Sequence, residues 1–378
     1  MLILAVLGLN IAISEWLARH TWLRHLGSAL LVILLTAVTA NIGLIPTYSS
    51  EVAIYGVVFS HVAPLAIFLL LLQVNLRGIL RAGVPMLGMF FLGALGTVCG
   101  VMAGMAAVGG AEAFGDLHWA LGGMFTGTYI GGSINYNAVA LEYEVVKEAG
   151  LYAGAAAVDS AATAVWMAVT VALPRLLGRR TASSERKETS ATPAVAGAEV
   201  SPEMDTETVG PFDVALLMAL GSAGVWLSDL IAAWTGAPSV LILTTLALGL
   251  AQLPPVQALR GTRLTGWLTV MLFLAVIGAL CDLHALAEIG PLALRLILFV
   301  TVILTIHGLV VFGGGRLLRL DPELSAVASQ ANIGGSTSAL ALARSLGRGD
   351  LVLPAILLGA LGNGVGTYLG FLVAAWLR

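Results

Sequence analysis

The chain has 378 residues, of which 58% are hydrophobic and only 10% are Asp, Glu, Lys or Arg, whereas a soluble domain carries about 25% charged residues. So few charges cannot cover the surface of a globular protein in water. The net charge of −3 gives no basic surface for nucleic acid, and Cys99 and Cys281 lie in apolar segments without a metal-ligand spacing. Composition therefore excludes secreted, cytosolic and nucleic-acid-binding proteins and predicts an all-α polytopic membrane protein.

Apolar runs of roughly 17 to 25 residues, the length that crosses a hydrocarbon core about 30 Å thick, recur along the chain. They predict ten spanning helices, near 2–18, 26–45, 52–74, 84–108, 150–174, 212–234, 238–252, 266–281, 290–312 and 351–377. The first run has no basic region before it and no clear small-residue cleavage site. We therefore expect a retained helix there rather than a signal peptide.

Two further stretches, 117–145 and 323–345, are apolar but interrupted by Gly-Gly-Ser and rich in Asn, Gln, Ser and Thr. Backbone groups freed at such a break find no partner in lipid, so a break persists only inside protein or beside a wet cavity. In transporters, half-helix N-termini at such breaks face anionic groups, and freed carbonyl groups bind cations. Two breaks therefore predict a binding site; the alternative for each Gly-Gly pair is a tight helix contact alone.

The segment 179–211 is rich in Ser, Thr, Glu, Ala and Pro and has no apolar periodicity. Such a composition is typical of a disordered linker. It divides the chain into a first membrane repeat, 1–178, and a second membrane repeat, 212–378.

Basic residues in short loops mark the cytoplasmic side of a membrane protein. If both interrupted segments are re-entrant hairpins, all but three of the 18 Lys and Arg residues fall inside, the exceptions being Lys147, Arg295 and Arg378. A first segment that crossed the membrane as a broken helix would instead place the basic cluster of 175–187 outside. The hairpin arrangement is therefore favoured, with the N-terminus outside and the linker in the cytoplasm, in a bacterial inner membrane.

Five spanning helices in each half is an odd number, so the second half would run opposite to the first, and the halves would form two inverted repeats. The sequence supports this: residues 130–140 and 333–343 both begin Ile-Gly-Gly-Ser, and six of their eleven positions are identical. In the helix after each motif, Asp159 and Thr163 fall opposite Asn363 and Thr367 when one gap is allowed.

Glycines and neutral polar residues at the two breaks are the candidate solute ligands. They are Thr128, Gly131, Gly132, Ser133, Asn135, Asn137, Asn332, Gly334, Gly335, Ser336 and Ser338, with Thr126, Gln330 and Thr337 beside them. Amides and hydroxyls suit a carboxylate, an amino acid or a desolvated cation, and glycine lets a ligand reach the backbone. The alternative is that these side chains only form hydrogen bonds between helices.

Asp159 lies about nine residues into its predicted helix, or about 14 Å at 1.5 Å per residue, near the middle of a bilayer. A carboxylate at that depth is costly, which favours a functional role. With Thr163 one turn on, it could bind Na⁺, and alone it could carry a proton; Asn363 and Thr367 are their counterparts in the second half. The alternatives are a permanently protonated Asp159 or a structural hydrogen bond, and for His307 a proton shuttle or a structural hydrogen bond.

The stretch Thr126–Asn135, the helix around Val158-Asp159-Ser160 and the closing stretch Leu361–Gly370 resemble the YjcL-like family of multi-pass membrane proteins of unknown function. The resemblance covers nearly the whole chain outside the linker. Members of that family tend to have Asp followed by Asn where this chain has Asp159-Ser160. The family looks related to the cation/proton antiporter and anion transporter superfamily, which includes bile-acid and glutamate sodium symporters. This resemblance implies inverted repeats with broken central elements and a transporter, but no particular substrate.

The sequence thus favours a secondary active transporter that moves a small anionic organic solute, coupled to Na⁺ or H⁺, by alternating access. We expect no other cofactor; the partners are the solute and the lipid bilayer, with a homodimer implied by superfamily analogy alone. One alternative is a cation/proton exchanger in which Asp159 binds both ions, and another is a membrane scaffold that transports nothing. The sequence has no Ser/His/Asp, P-loop or HExxH arrangement, so we expect no enzyme.

Overall fold

The computed structural model of the chain describes residues 1–23, 27–47, 52–76, 78–176, 209–281 and 290–378. Within these ranges every regular element is helical. The principal helices are α1 (Leu2–His20), α2 (Gly27–Asn41), α3 (Ala53–Leu71), α4 (Val84–Val108), α5 (His118–Gly131), α6 (Ser133–Glu142), α7 (Ala149–Leu176), α8 (Pro211–Thr235), α9 (Ser239–Leu250), α10 (Thr262–Leu280), α11 (Gly290–Leu317), α12 (Pro322–Ile333), α13 (Gly335–Ser345) and α14 (Gly349–Leu377). Short helical turns cover Ile79–Ala82, Gly110–Phe114, Gly115–Leu117, Val145–Lys147 and Pro254–Gln257.

Eight of these helices are long and apolar enough to cross a membrane: α1, α3, α4, α7, α8, α10, α11 and α14. They coincide with eight of the ten predicted spans. The other two predictions correspond to the apolar helices α2 and α9, which have 15 and 12 residues and are shorter than the predicted runs. Gly43, with a φ of 83°, follows the end of α2, and Pro238 precedes α9, so turn residues shorten both helices.

Both interrupted segments are pairs of helices, as the Gly-Gly-Ser motifs indicate. The first pair is α5 and α6, which are separated at Gly132, and the second is α12 and α13, which are separated at Gly334. Their re-entrant course and the inverted arrangement of the two halves stay predictions. Most of the predicted linker lies outside the described residues, which resume at residue 209.

The chain forms two compact units, and both halves of the sequence contribute to each. The first unit comprises Met1–Val74, Asn137–Ser160 and Gly197–Leu296, and the second comprises Asn75–Tyr136, Ala161–Ala196 and Ile297–Arg378. This division follows the contacts between helices, whereas the predicted repeats 1–178 and 212–378 are consecutive stretches of the sequence.

Polar side chains link helices of the first unit. The Asn10 amide on α1 donates to the hydroxyls of Thr36 at 3.1 Å and Thr39 at 2.9 Å on α2. The Asn41 amide at the end of α2 donates to the carbonyl of Cys281 at 2.8 Å, directly after α10. Buried in this way, polar side chains are satisfied by neighbouring helices rather than by water.

Glycine sets the helix spacing in the second unit. Along one face of α4, a Cβ added at Gly96, Gly100 or Gly104 would lie 3.0 Å from the Val310 Cβ, 2.9 Å from the Ile303 Cα and 2.8 Å from the Phe299 Cδ2, all on α11. These three glycines therefore form a close-packing face of α4 against α11. Around it lies an apolar core that includes Met89, Phe90, Val327, Leu342 and Leu358.

Candidate functional site

The break between α5 and α6 has a backbone conformation that requires glycine. Gly132 has a φ of 90° and a ψ of −177°, a region that residues with a Cβ rarely adopt. The helix already departs from regular geometry at Tyr129, with φ −89° and ψ 15°. The Gly132 N–H donates to the carbonyl of Thr128 at 2.7 Å, and the Asn135 N–H donates to the carbonyl of Gly132 at 3.1 Å. The chain thus ends one helix and starts the next within two residues.

The break between α12 and α13 uses its two glycines differently. Gly335 has a φ of 71°, which favours glycine, but Gly334 has a φ of −113°, which any residue can adopt. The Gly334 N–H donates to the carbonyl of Gln330 at 2.9 Å. Among the described residues, no side chain caps the N-terminus of α13 by a hydrogen bond. A ligand can therefore accept from its first N–H groups.

Helix α14 packs against both breaks through its glycines. A Cβ added at Gly362 would lie 2.9 Å from the Cα of Gly131, and one added at Gly366 would lie 2.9 Å from the carbonyl oxygen of Gly127. A Cβ at Gly359 would run into the backbone of Ser336. Helix α14 therefore brings the first and second Gly-Gly-Ser motifs together in one unit.

Asn135 and Thr367, predicted respectively as a solute ligand and a coupling residue, bond to each other. The Thr367 hydroxyl donates to Asn135 Oδ1 at 2.7 Å, and both side chains are fully buried. The Asn135 amide nitrogen lies 3.5 Å from the carbonyl oxygen of Gly362. Asn363 is half-buried, and its Oδ1 lies 3.9 Å from the position that a Cβ would take at Gly132. These residues form a polar contact between the first break and α14.

The other predicted ligands of the second unit differ in exposure. Thr128 and Asn332 are buried, and the Asn332 amide group lies 3.3 Å from the carbonyls of Ala328 and Phe90, which accept from its nitrogen when the amide is oriented toward them. Ser133 is exposed at the start of α6, whereas Ser336 and Ser338 are half-buried. The Ser338 hydroxyl donates to the carbonyl of Gly335 at 3.2 Å.

Asn137 and Asp159 belong to the first unit, and Thr163 belongs to the second. The Tyr152 hydroxyl donates to Asn137 Oδ1, and both side chains are buried. Asp159 is half-buried on α7. The structure therefore does not gather the predicted ligands into a single unit.

A buried polar chain in the second unit was not predicted as a group. It runs from Trp166 on α7 through Ser329 on α12 and His307 on α11 to Thr97 on α4, with distances of 3.0, 2.9 and 3.0 Å between successive polar atoms. The Thr97 hydroxyl then donates to the carbonyl of Tyr129 at 3.0 Å, where α5 departs from helical geometry. The sequence signal was the set of polar residues inside otherwise apolar helices, but it did not indicate which of them meet.

Comparison with known proteins adds the family. Residues 2–378 match the family described as "Protein of unknown function (DUF819)". The chain belongs to the DUF819 family. A relative, the "Uncharacterized membrane protein YjcL" of Bacillus subtilis (strain 168), is 28% identical over 374 residues, which cover 95% of this chain and 91% of the relative. The predicted resemblance to YjcL-like proteins is confirmed, and this DUF819 chain is a multi-pass membrane protein; the wider superfamily relationship stays a prediction.

Proposed function

We propose that this protein is a secondary active transporter that moves a small anionic organic solute by alternating access, coupled to Na⁺ or H⁺. The observation that carries the proposal is the pair of glycine breaks, at Gly132 and Gly334, packed against α14 within one unit. Broken helices at membrane depth are costly unless the freed backbone groups face protein or a ligand. The polar residues around them supply hydrogen-bond donors for an anion.

The organisation of the second unit supports an inverted repeat. The first half of the chain contributes α4, α5 with the start of α6, and part of α7, and the second half contributes part of α11, the α12–α13 pair and α14. Each half thus supplies a long helix, a glycine break and all or part of a further long helix. In the proposed mechanism, the helices that carry the breaks move relative to the remaining helices and open the site to each side in turn.

Asp159 is the proposed coupling residue, with Thr163 on the same helix and with Asn363 and Thr367 as the corresponding residues of the second repeat. The carboxylate would bind Na⁺ with the Thr163 hydroxyl or would carry a proton. No enzymatic activity and no cofactor beyond the coupling ion is proposed. The proposed setting is a bacterial inner membrane, with the N-terminus outside, the linker in the cytoplasm and a homodimer as the assembly.

Transport by purified protein in proteoliposomes tests the proposal. Uptake of radiolabelled organic anions should depend on an imposed Na⁺ or proton gradient, and Asp159→Asn should abolish that dependence. Glu144→Gln, which changes an exposed carboxylate, is the matched control and should leave uptake unchanged. Na⁺-driven proton flux without any solute would instead establish the cation/proton exchanger. Absence of any flux through the wild-type protein, with its function in cells unchanged by Asp159→Asn and Ser133→Ala, would favour a scaffold.

A further inference from the structure

Gln330 presents an unusual buried amide at the second break. Its side chain is fully buried on α12, one turn before Gly334, and the Thr170 hydroxyl lies 3.1 Å from its Oε1. That contact directs the amide nitrogen away from Thr170, and Nε2 is buried without a hydrogen-bond partner. Two N–H groups left without a partner cost about 1–3 kcal/mol, so a buried amide of this kind calls for an explanation in terms of a ligand.

The unpartnered nitrogen lies against Gly334, on the side where a side chain would project. A Cβ built on Gly334 would lie 2.6 Å from Gln330 Nε2 and would also collide with Ser338 Oγ. Because the φ of Gly334 is −113°, the backbone itself would accept any residue there. Space therefore explains the glycine: only without a Cβ can the Gln330 amide and the Ser338 hydroxyl lie this close to the backbone of the break. We call the surface that Gly334 forms with these two groups the notch. Gly334 and Ser338 are partly exposed, so the notch opens at the break.

The N-terminus of α13 adjoins this notch. The helix has 11 residues and begins at Gly335 without a side-chain cap, and its dipole favours negative charge at this end. The amide N–H groups of Gln330 add donors of the same polarity. Donors of this kind attract an oxygen anion and disfavour a cation.

We propose that the Gln330 amide and the N-terminus of α13 bind a carboxylate of the solute at the notch, where one of its oxygens accepts from the Gln330 amide. This inference rests on the proposed transport function and refines it, because it assigns the second break to the anion and leaves the coupling cation to other residues. The site uses neutral donors, which hold a carboxylate without the strong attraction of a basic side chain and so allow its release.

Two variants test the notch in full-length protein purified in detergent. Gln330→Met keeps the length of the side chain but removes the amide, and Gly334→Ala displaces the Gln330 amide and the Ser338 hydroxyl from the backbone of the break. The probes are the choline salts of acetate, lactate and benzoate at equal ionic strength, with the corresponding amides as uncharged controls. At least one carboxylate should raise the melting temperature of the wild-type protein, and both variants should weaken its apparent affinity about tenfold or more, the loss expected for one hydrogen bond to a charged group.

Stability without ligand separates a binding role from a structural one. Gln330→Met should melt at or above the wild-type temperature, because it removes two unsatisfied N–H groups. The Thr170 hydroxyl, which loses its contact with Gln330, can still donate to the carbonyls of Trp166 and Met167, both at 3.0 Å. Gln252→Met is the matched control; it removes an amide that donates to the carbonyls of Val74 and Leu248, both at 2.9 Å, and should melt lower. Gly313→Ala, which has open space around it, controls for Gly334→Ala.

The outcomes are distinct for the two proposals. Absence of stabilisation by all three carboxylates, unchanged affinity in both variants, or stabilisation by Na⁺ that Gln330→Met removes would overturn the notch as a carboxylate site. Gradient-driven uptake could still be present in any of those cases, and transport would stand. Conversely, carboxylate binding that both variants lose, in a protein without gradient-driven uptake of any solute, would support the notch and refute transport.

Discussion

The Nε2 atom of His307 lies 2.9 Å from the hydroxyl oxygen of Ser329, and both residues are fully buried in the second unit. Hydrogen-bond roles around this pair follow from their neighbours. The Trp166 N–H can only donate, so Ser329 accepts from it and donates its own hydrogen to Nε2. His307 then carries its hydrogen on Nδ1, which lies 3.0 Å from both the carbonyl of Gly93 and the Thr97 hydroxyl. A neutral imidazole with one tautomer satisfies every member of the chain.

His307→Ala should therefore lower the melting temperature of the purified protein. It leaves the hydroxyls of Ser329 and Thr97 with fewer partners inside the unit, at a cost of about 1–3 kcal/mol for each buried group left unsatisfied, in addition to the cavity. His20→Ala serves as the control, because His20 is exposed and its described contacts are confined to Trp16, through the carbonyl and the stacked indole ring. Equal melting of the two variants would show that the chain contributes no stability.

The close approach of α5 and α14 makes Gly131→Ala severely destabilising. A Cβ at Gly131 would overlap the backbone carbonyl of Gly362, and backbone cannot rotate away as a side chain can. Overpacking of this kind typically costs 1–3 kcal/mol or more. Gly88→Ala on α4 meets nothing within 4 Å and should be neutral or stabilising by up to about 1 kcal/mol. Expression and size-exclusion profiles of fluorescent fusions measure both; a monodisperse Gly131→Ala protein at wild-type level would contradict the packing.

Asn135 and Thr367 should show coupled energetics in a double-mutant cycle. Asn135→Ala and Thr367→Val each remove the same 2.7 Å hydrogen bond, so the two losses in the free energy of unfolding should not add, with a coupling of about 1 kcal/mol. Thr367→Ser keeps the hydroxyl and should retain most of that coupling. Unfolding by SDS in mixed micelles gives the four free energies, and strict additivity would rule out the bond as a stabilising contact.

Glu142 predicts a pH dependence within the first unit. This residue ends α6, outside the eight candidate spans, and its carboxylate accepts from the N–H of Val240 at 3.2 Å in the first turn of α9. Burial raises the pKa of Glu142 above its usual 4.5, although the hydrogen bonds from Val240 and Ser239 act in the opposite direction. The folded state thus holds this proton more tightly than the unfolded state, so its contribution to stability is present at low pH and declines as the pH rises through 4.5 toward the folded pKa.

Glu142→Gln should remove that decline. The melting temperature of the wild-type protein relative to Glu142→Gln should fall between pH 4 and pH 7, measured by thermal shift in one detergent. Glu144→Gln, an exposed position two residues on, should run parallel to the wild type. A wild-type melting temperature that rises with pH relative to Glu142→Gln would reverse the sign and show that the hydrogen bonds at α9 outweigh burial.

Hydropathy and glycine were enough to predict much of the helical layout. The long spans follow from apolar length alone, and the breaks fall inside the Gly-Gly-Ser motifs because Gly132 and Gly335 adopt positive φ values that other residues avoid. The pairing of Asn135 with Thr367, and the polar chain through His307, could not be predicted, since residues more than 200 positions apart meet there. Hydropathy also does not predict the division into two packing units, because both units contain apolar helices of similar length.

The glycine face of α4 also limits how the second unit can move. Where α4 meets α11 at Gly100 and Ile303, backbone contacts backbone, and sliding between packed helices normally depends on small adjustments of interdigitating side chains. Few side chains lie between the two backbones at this contact, so we expect α4 and α11 to move together as a rigid pair. We therefore expect rearrangement inside the unit at the two breaks, where Gly132 and Gly335 interrupt the helices.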